Sequence, residues 1–168
     1  QCCTEMALLA RSGLVGKLVS KNAASKDPTR IQIHGYACDA SGRVLNTRDF
    51  PLLKEPRRKQ ATQPRAKMIL VIGTSMNSGK SLAAASICRA LAAQGHTVRG
   101  SKVTGTASLK DILHMEDAGA SPVADFTYFG YPSTYLLEEE EVMGIFDRLD
   151  RRYANNPENY WVVEIADG

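Results

Sequence analysis

Gly79-Lys80-Ser81 places an unhindered backbone, an ammonium and a hydroxyl at consecutive positions. They close the run Met68-Ile-Leu-Val-Ile-Gly-Thr-Ser-Met-Asn-Ser-Gly-Lys-Ser81, which reads as a short buried strand, a loop of small polar residues and the start of an Ala-rich helix. A helix N-terminus presents unpaired N–H groups and a partial positive charge. Glycines and small residues let that backbone close around an anion. Lys80 would then bring a full charge to the β- and γ-phosphates of a nucleotide, and the Ser81 hydroxyl suits a magnesium ion. The nucleotide-binding candidates are Gly73, Thr74, Asn77, Ser78, Gly79, Lys80, Ser81 and Leu82. The alternative is a glycine-rich strand–helix turn that holds no ligand.

A second charged group lies in Val162-Val-Glu-Ile-Ala-Asp-Gly168. Glu164 sits inside a run that otherwise reads as a buried strand, where a carboxylate has no easy structural role. Hard oxygen ligands from a hydroxyl, one or two carboxylates and phosphates are what magnesium prefers. Asp167 is an alternative ligand, because it lies nearer the strand's exit. An edge strand with Glu164 facing water is the plain structural reading.

The elements that must position these groups alternate in type from residue 68 onward. Strands are expected at Met68–Ile72, Thr97–Val103, Val123–Phe126 and Trp161–Ile165. Helices are expected at Gly79–Gln94, stopped by Gly95, at Leu109–Ala118, stopped by Gly119, and at Glu138–Asn155. Glu138 to Glu141 in the first turn of the last helix complement its dipole. Strand–helix alternation of this kind predicts an α/β fold with a parallel sheet and flanking helices.

Residues 1–53 read as a small β-rich domain. Arg30-Ile-Gln-Ile-His34 alternates with period two, Asp39-Ala-Ser-Gly42 is a turn cluster, and Arg43-Val-Leu45 leads out of it, which predicts a hairpin. His34 has no second ligand candidate nearby and reads as an ordinary strand residue. Residues 54–67 read as a basic linker, with Pro56, Pro64 and a charge of +5 in a chain whose total is +3. A basic arm for an acidic partner is the other reading. No aromatic residue interleaves these charges, which argues against single-strand nucleic-acid binding. The rest of the chain carries about −2, so a generally basic surface is not implied.

With 168 residues and 43% hydrophobic content the chain is long enough to bury a core. No apolar run approaches the roughly 20 residues of a membrane span. Residues 1–20 lack the charge pattern of a secretory signal. Cys2, Cys3, Cys38 and Cys88 fit no zinc spacing, and Cys88 falls among helix alanines as a buried thiol would. A reducing, cytoplasmic location is expected. The start at Gln1 and the stop at Gly168 suggest a piece of a longer protein.

Gly73 and Gly79 are separated by five residues rather than the usual four. Read as Gly73-Thr-Ser-Met-Asn-Ser-Gly-Lys-Ser81, the loop resembles that of dethiobiotin synthetase and its P-loop relatives. Those enzymes carry a second lysine at the end of the next strand, and this chain has Ser101-Lys-Val-Thr-Gly-Thr106 there. The resemblance implies that Lys102 reaches beyond the γ-phosphate, where an acid substrate or carbamate sits. Ligands of parallel α/β sheets do bind outside the carboxyl ends of the strands. Glu164 resembles the glutamate of a Val-Glu-Gly-Ala-Gly-Gly stretch in dethiobiotin synthetase.

Leu109-Lys-Asp-Ile-Leu-His-Met-Glu-Asp-Ala-Gly-Ala120 resembles a segment of the accessory protein of molybdopterin-guanine dinucleotide synthesis. It is still more similar to a family of dethiobiotin-synthetase-like P-loop proteins with an N-terminal β domain. Lys-Val-Thr-Gly-Thr, Asp-Ala-Gly-Ala, Ser-Thr-Tyr-Leu-Leu and Glu-Ile-Ala-Asp-Gly belong to the same likeness, which covers most of residues 68–168. It implies a P-loop NTPase domain over 68–168, truncated at its C-terminus, with Asp111 as a further metal carboxylate. His114 and Asp117 read as helix-surface residues. Ser133-Thr-Tyr135 either lines the substrate side or caps the helix that follows.

The expected activity is ATP- and Mg2+-dependent activation of a small carboxylate or carbamate by phosphoryl transfer. Lys80 and Lys102 are the catalytic candidates, and Ser81, Glu164 and Asp111 the metal candidates. Partners are then a nucleotide and a small acidic substrate, without membrane or nucleic acid, and a homo-oligomer is left open. One alternative is a nucleotide-binding accessory or switch module. Another, implied by relatives linked to D-glutamate metabolism, is an acyltransferase whose loop holds the phosphorylated end of coenzyme A.

Overall fold

The computed structural model describes residues 4–10, 13–54, 64–75 and 77–166. It is an α/β structure whose main sheet has four strands, all parallel, with helices on both faces. The order of elements is β1 (Thr4–Leu8), β2 (Val15–Gly16), β3 (Arg30–Ile33), β4 (Lys67–Val71), α1 (Lys80–Ala93), β5 (Val98–Thr104), α2 (Leu109–Asp117), β6 (Val123–Asp125), α3 (Glu139–Tyr153) and β7 (Tyr160–Ile165). Across the main sheet they run β4, β7, β5, β6. Each predicted strand and helix from residue 68 onward is present, with ends shifted by one or two residues.

The two faces of this sheet bury different cores. Toward α1 and α2 lie Val71, Val98, Val123 and Val162, packed on Ala84, Cys88, Ile112 and Met115. Toward α3 lie Val103, Ala124, Trp161 and Val163, packed on Ile145, Leu149 and Tyr153. Coverage on both sides explains why β7 reads as an apolar run broken only by Glu164 rather than an alternating one. Trp161 is completely buried and satisfies its indole N–H on Ser101 Oγ. Arg99 Nη1 donates to Tyr153 O (3.0 Å) and Asn155 Oδ1 (2.7 Å), which ties the end of α3 to β5. The acidic first turn of α3 is present at Glu139, Glu140 and Glu141, after an N-cap at Glu138.

The smaller sheet is antiparallel, in the order β2, β1, β3. Here the predicted hairpin is corrected. β3 pairs with β1, Met6 facing Ile31, and the 43–45 segment contributes only an isolated bridge between Cys38 and Val44. The turn itself forms: Asp39 Oδ1 accepts from Ser41 N, Ser41 Oγ and Arg43 N. Asp39 N donates to Arg43 O (2.9 Å) and Leu45 N to Ala37 O (2.9 Å), so a short hairpin closes at 37–45, but β3 is not one of its strands.

Thr47–Asp49 forms a 3-10 turn capped by Asn46. This segment lies against the α/β unit: Thr47 Oγ1 donates to Gly130 O (2.6 Å), Arg48 pairs with Glu141 (2.8 Å) and Leu52 N donates to Tyr128 O (2.8 Å). Of the basic stretch, residues 55–63 lie outside the described residues. Its end belongs to the sheet: Arg65 pairs with the buried Asp150, Ala66 is buried and Lys67 opens β4. No helix among the described residues is long and apolar enough to cross a membrane.

Candidate functional site

Four aligned positions cross the carboxyl edge of the main sheet. Val71 on β4 is in register with Glu164 on β7, Glu164 with Lys102 on β5, and Lys102 with Asp125 on β6. Register neighbours in a parallel sheet share a face, so this row points to the α1/α2 side. Three of its four members are ionisable and all three are buried: Lys102 is 7%, Asp125 2% and Glu164 1% exposed. Buried charges persist only when paired or otherwise compensated. The row is accordingly an ordered set of partners.

The loop after β4 bends back over this edge into α1. Its N-cap is Gly79, with φ of 92° and no side-chain cap bond. The first N–H groups of α1 therefore receive no side-chain oxygen at the cap, where Ser, Thr or Asp would normally supply one. Asn77 adopts φ of 62°, part of the same tight turn. A Cβ at Gly73 would lie 2.8 Å from Lys80 Cγ and collide with Ser78 Oγ, so only glycine permits this closure. The Lys80 side chain is drawn back under the loop, where Nζ donates to Ser75 O (2.7 Å).

Ser81 Oγ donates to Glu164 Oε1 (2.8 Å), and Lys102 Nζ lies 3.7 Å from the same oxygen. Lys102 Nζ also pairs with Asp111, carried in by the first turn of α2. Gly105 accommodates the lysine: a Cβ there would sit 3.1 Å from Lys102 Cε. Glu164 Oε2 is buried and has no hydrogen-bond partner among the described residues. Such an orphan oxygen in a native-like core calls for a missing partner. With Ser81 Oγ beside it and Asp111 across Lys102, the donors suit a hard cation such as Mg2+, which takes one or two carboxylates and fills its other positions with water and phosphate. Among the described residues no group of three or more His, Cys, Asp and Glu assembles. Protein donors alone would therefore make an incomplete shell.

A cavity of about 410 Å3 joins these groups, lined by Asn77 to Leu82, Lys102, Asp111, Glu164 and Ala166. Of the residues singled out from the sequence, the structure brings Asn77, Ser78, Gly79, Lys80, Ser81, Leu82, Lys102, Asp111 and Glu164 to one space. Gly73 stands behind it as the closure point, and Thr74 is exposed outside its lining. Glu164 faces this cavity rather than water. Asp167 lies outside the described residues. His114 and Asp117 line a separate groove between α1 and α2.

Two assignments change. Ser133–Tyr135 neither lines the 410 Å3 cavity nor caps α3, whose N-cap is Glu138. Instead Thr134 Oγ1 accepts from Gly105 N (2.8 Å) and fixes the turn after Lys102. Asp125 was not singled out at all. Its Oδ1 caps the following 3-10 turn by accepting from Thr127 N (2.9 Å). Burial pushes its carboxyl above the ordinary range, against the hydrogen bonds from Thr127 and the charge of Lys102. It lines a neighbouring cavity of about 510 Å3, with Leu52, Leu109, Ile112 and Tyr128. Its place beside Lys102 follows from the pairing of β5 with β6, which the sequence alone does not give.

Compared with known proteins, the chain matches no family model, no curated protein and no solved structure.

Proposed function

We propose that the chain is a P-loop protein that binds ATP with Mg2+ on the Gly73–Ser81 loop and activates a small carboxylate or carbamate by phosphoryl transfer. The supporting observation is the 410 Å3 cavity at the carboxyl edge of the parallel sheet, shared by an uncapped helix N-terminus, Lys80, Ser81, Lys102, Asp111 and Glu164. A triphosphate seated on the first turn of α1 would meet backbone N–H donors and the Lys80 ammonium. Ser81 and Glu164, with Asp111, would hold the metal, which when bound neutralises charge on the phosphate oxygens. Lys102 would orient an acidic acceptor and offset negative charge near the transferring group. A carboxylate acceptor is already ionised, so no general base is required, and positioning and charge carry the catalysis. Residues 68–168 would form the NTPase domain, and residues 1–53 its N-terminal β domain.

The test is turnover by the full-length protein with ATP, Mg2+ and a panel of small mono-, di- and amino acids. Acid-dependent release of ADP supports the proposal. Tight nucleotide binding with no release for any acid would replace it with a binding or switch module. Coenzyme A binding without ATP binding would replace it with an acyl-transfer role.

A further inference from the structure

Lys102 is engaged with both candidate metal carboxylates. Its Nζ stands between the carboxylates of Asp111, from α2, and Glu164, from β7, pairing with the first and lying 3.7 Å from an oxygen of the second. Its stem is 7% exposed and packed against Gly105, so the ammonium is held there rather than sampling solvent. Ser81 Oγ is likewise turned onto Glu164. The cation-binding groups are thus closed on one another, with Glu164 Oε2 alone left over.

We infer that Lys102 is a built-in counter-ion that keeps a divalent cation out of the Ser81–Glu164–Asp111 site until a nucleotide arrives. The inference rests on the proposed nucleotide site. An ammonium and a divalent ion about 4 Å apart repel strongly wherever water is largely excluded. Metal alone would therefore have to expel Lys102 from two carboxylates into a space offering it no new anion. A triphosphate supplies that anion. Phosphate oxygens above α1 draw the ammonium out of the carboxylate pair, and the metal enters behind it with its remaining ligands supplied by the same phosphates. Metal and nucleotide then favour each other by equal factors, as linkage requires, and Lys102 is the residue that sets the factor.

The test measures Mn2+ binding by electron paramagnetic resonance, without nucleotide, for the native chain and for K102M and K102Q at pH 8. The variants are expected to bind Mn2+ at least about tenfold more tightly than the native chain, and adding Glu164→Gln is expected to abolish the gain. Equal or weaker Mn2+ binding by folded variants, judged by circular dichroism and thermal melting, overturns the inference. Nucleotide binding by the native chain is measured on the same preparation. If it is absent while the variants still gain Mn2+ affinity, the nucleotide reading fails and the counter-ion role stands. If it is present and the gain is missing, the counter-ion role alone fails. Should both variants fail to fold, native crystals soaked with Mn2+ and a non-hydrolysable ATP analogue decide the question. Anomalous density beside Glu164 with Lys102 Nζ parted from Asp111 supports the inference, and the same density with that pair intact overturns it.

Discussion

The two faces of the main sheet are built from the same strands and end differently. On the α3 face β5 and β7 carry Arg99, Ser101, Val103, Trp161 and Val163, and the polar groups there bind other parts of the fold: Trp161 to Ser101, Arg99 to Tyr153 O and Asn155, and Arg65 to the buried Asp150. On the α1/α2 face the same strands carry Gly100, Lys102, Val162 and Glu164, with Asp125 beside them on β6. Apolar packing fills that second face as far as Val123 and Val162, then gives way to three buried ionisable side chains in one row. A fold needs only the first pattern. Burying charge is costly unless partners repay the lost hydration, and the charged row at the carboxyl edge is where the proposed ligand site lies.

The largest effect should come from the apolar face. Trp161→Ala is expected to cost about 3–5 kcal/mol in urea unfolding, as large buried aromatics do, with nucleotide affinity of the folded fraction unchanged. A matching loss of affinity would mean that the faces are not separable. Next, Glu164→Gln keeps size and an acceptor for Ser81 but removes the buried charge. Calorimetry should find that Mg2+ no longer strengthens nucleotide binding, a loss of at least about tenfold, worth roughly 1.4 kcal/mol.

A smaller effect is expected from Asp125→Asn. Burial holds the native carboxyl above its ordinary pKa of 3.8, so the native chain binds a proton at a pH where the unfolded chain has lost it. Native stability therefore falls as pH rises from about 3.8 toward the raised value, and stays lowered above it. Asparagine still caps the following turn and carries no such penalty. Denaturation across that window should show a shallower pH dependence for the variant than for the native chain. The smallest effect concerns Cys88, whose thiol is pushed up to about 11 by burial between α1 and the sheet. Mass-spectrometric mapping after brief alkylation at pH 7 should find Cys38 labelled and Cys88 untouched.

Much of this comparison was legible in the sequence, and the omissions have physical causes. Lys80 and Ser81 were readable because the turn that carries them is local: strand, small residues and helix are consecutive. Glu164 was readable as a carboxylate inside an apolar strand, and Lys102 from the resemblance carried by Ser101–Thr106. That they are sheet neighbours was not, because β7 pairs with β5 across some sixty residues of intervening chain. Asp125 was missed for the same reason, since only its register with Lys102 distinguishes it from an ordinary cap. The pairing of Lys102 with Asp111 depends on how α2 lies over β5, which periodicity does not encode. The misread hairpin at 30–45 shows the converse error, where a strong turn signal at Asp39 was given a strand partner that β1 supplies instead.

The central claim is that the uncapped start of α1, with Lys80, is a nucleotide phosphate site. Calorimetric titration of the native chain and of Lys80→Met with ATP and Mg2+ tests it most directly. The account predicts saturable one-to-one binding by the native chain and a loss of at least about a hundredfold in the variant, roughly 2.7 kcal/mol. Equal affinity in the two proteins, or no binding by the native chain, would contradict it.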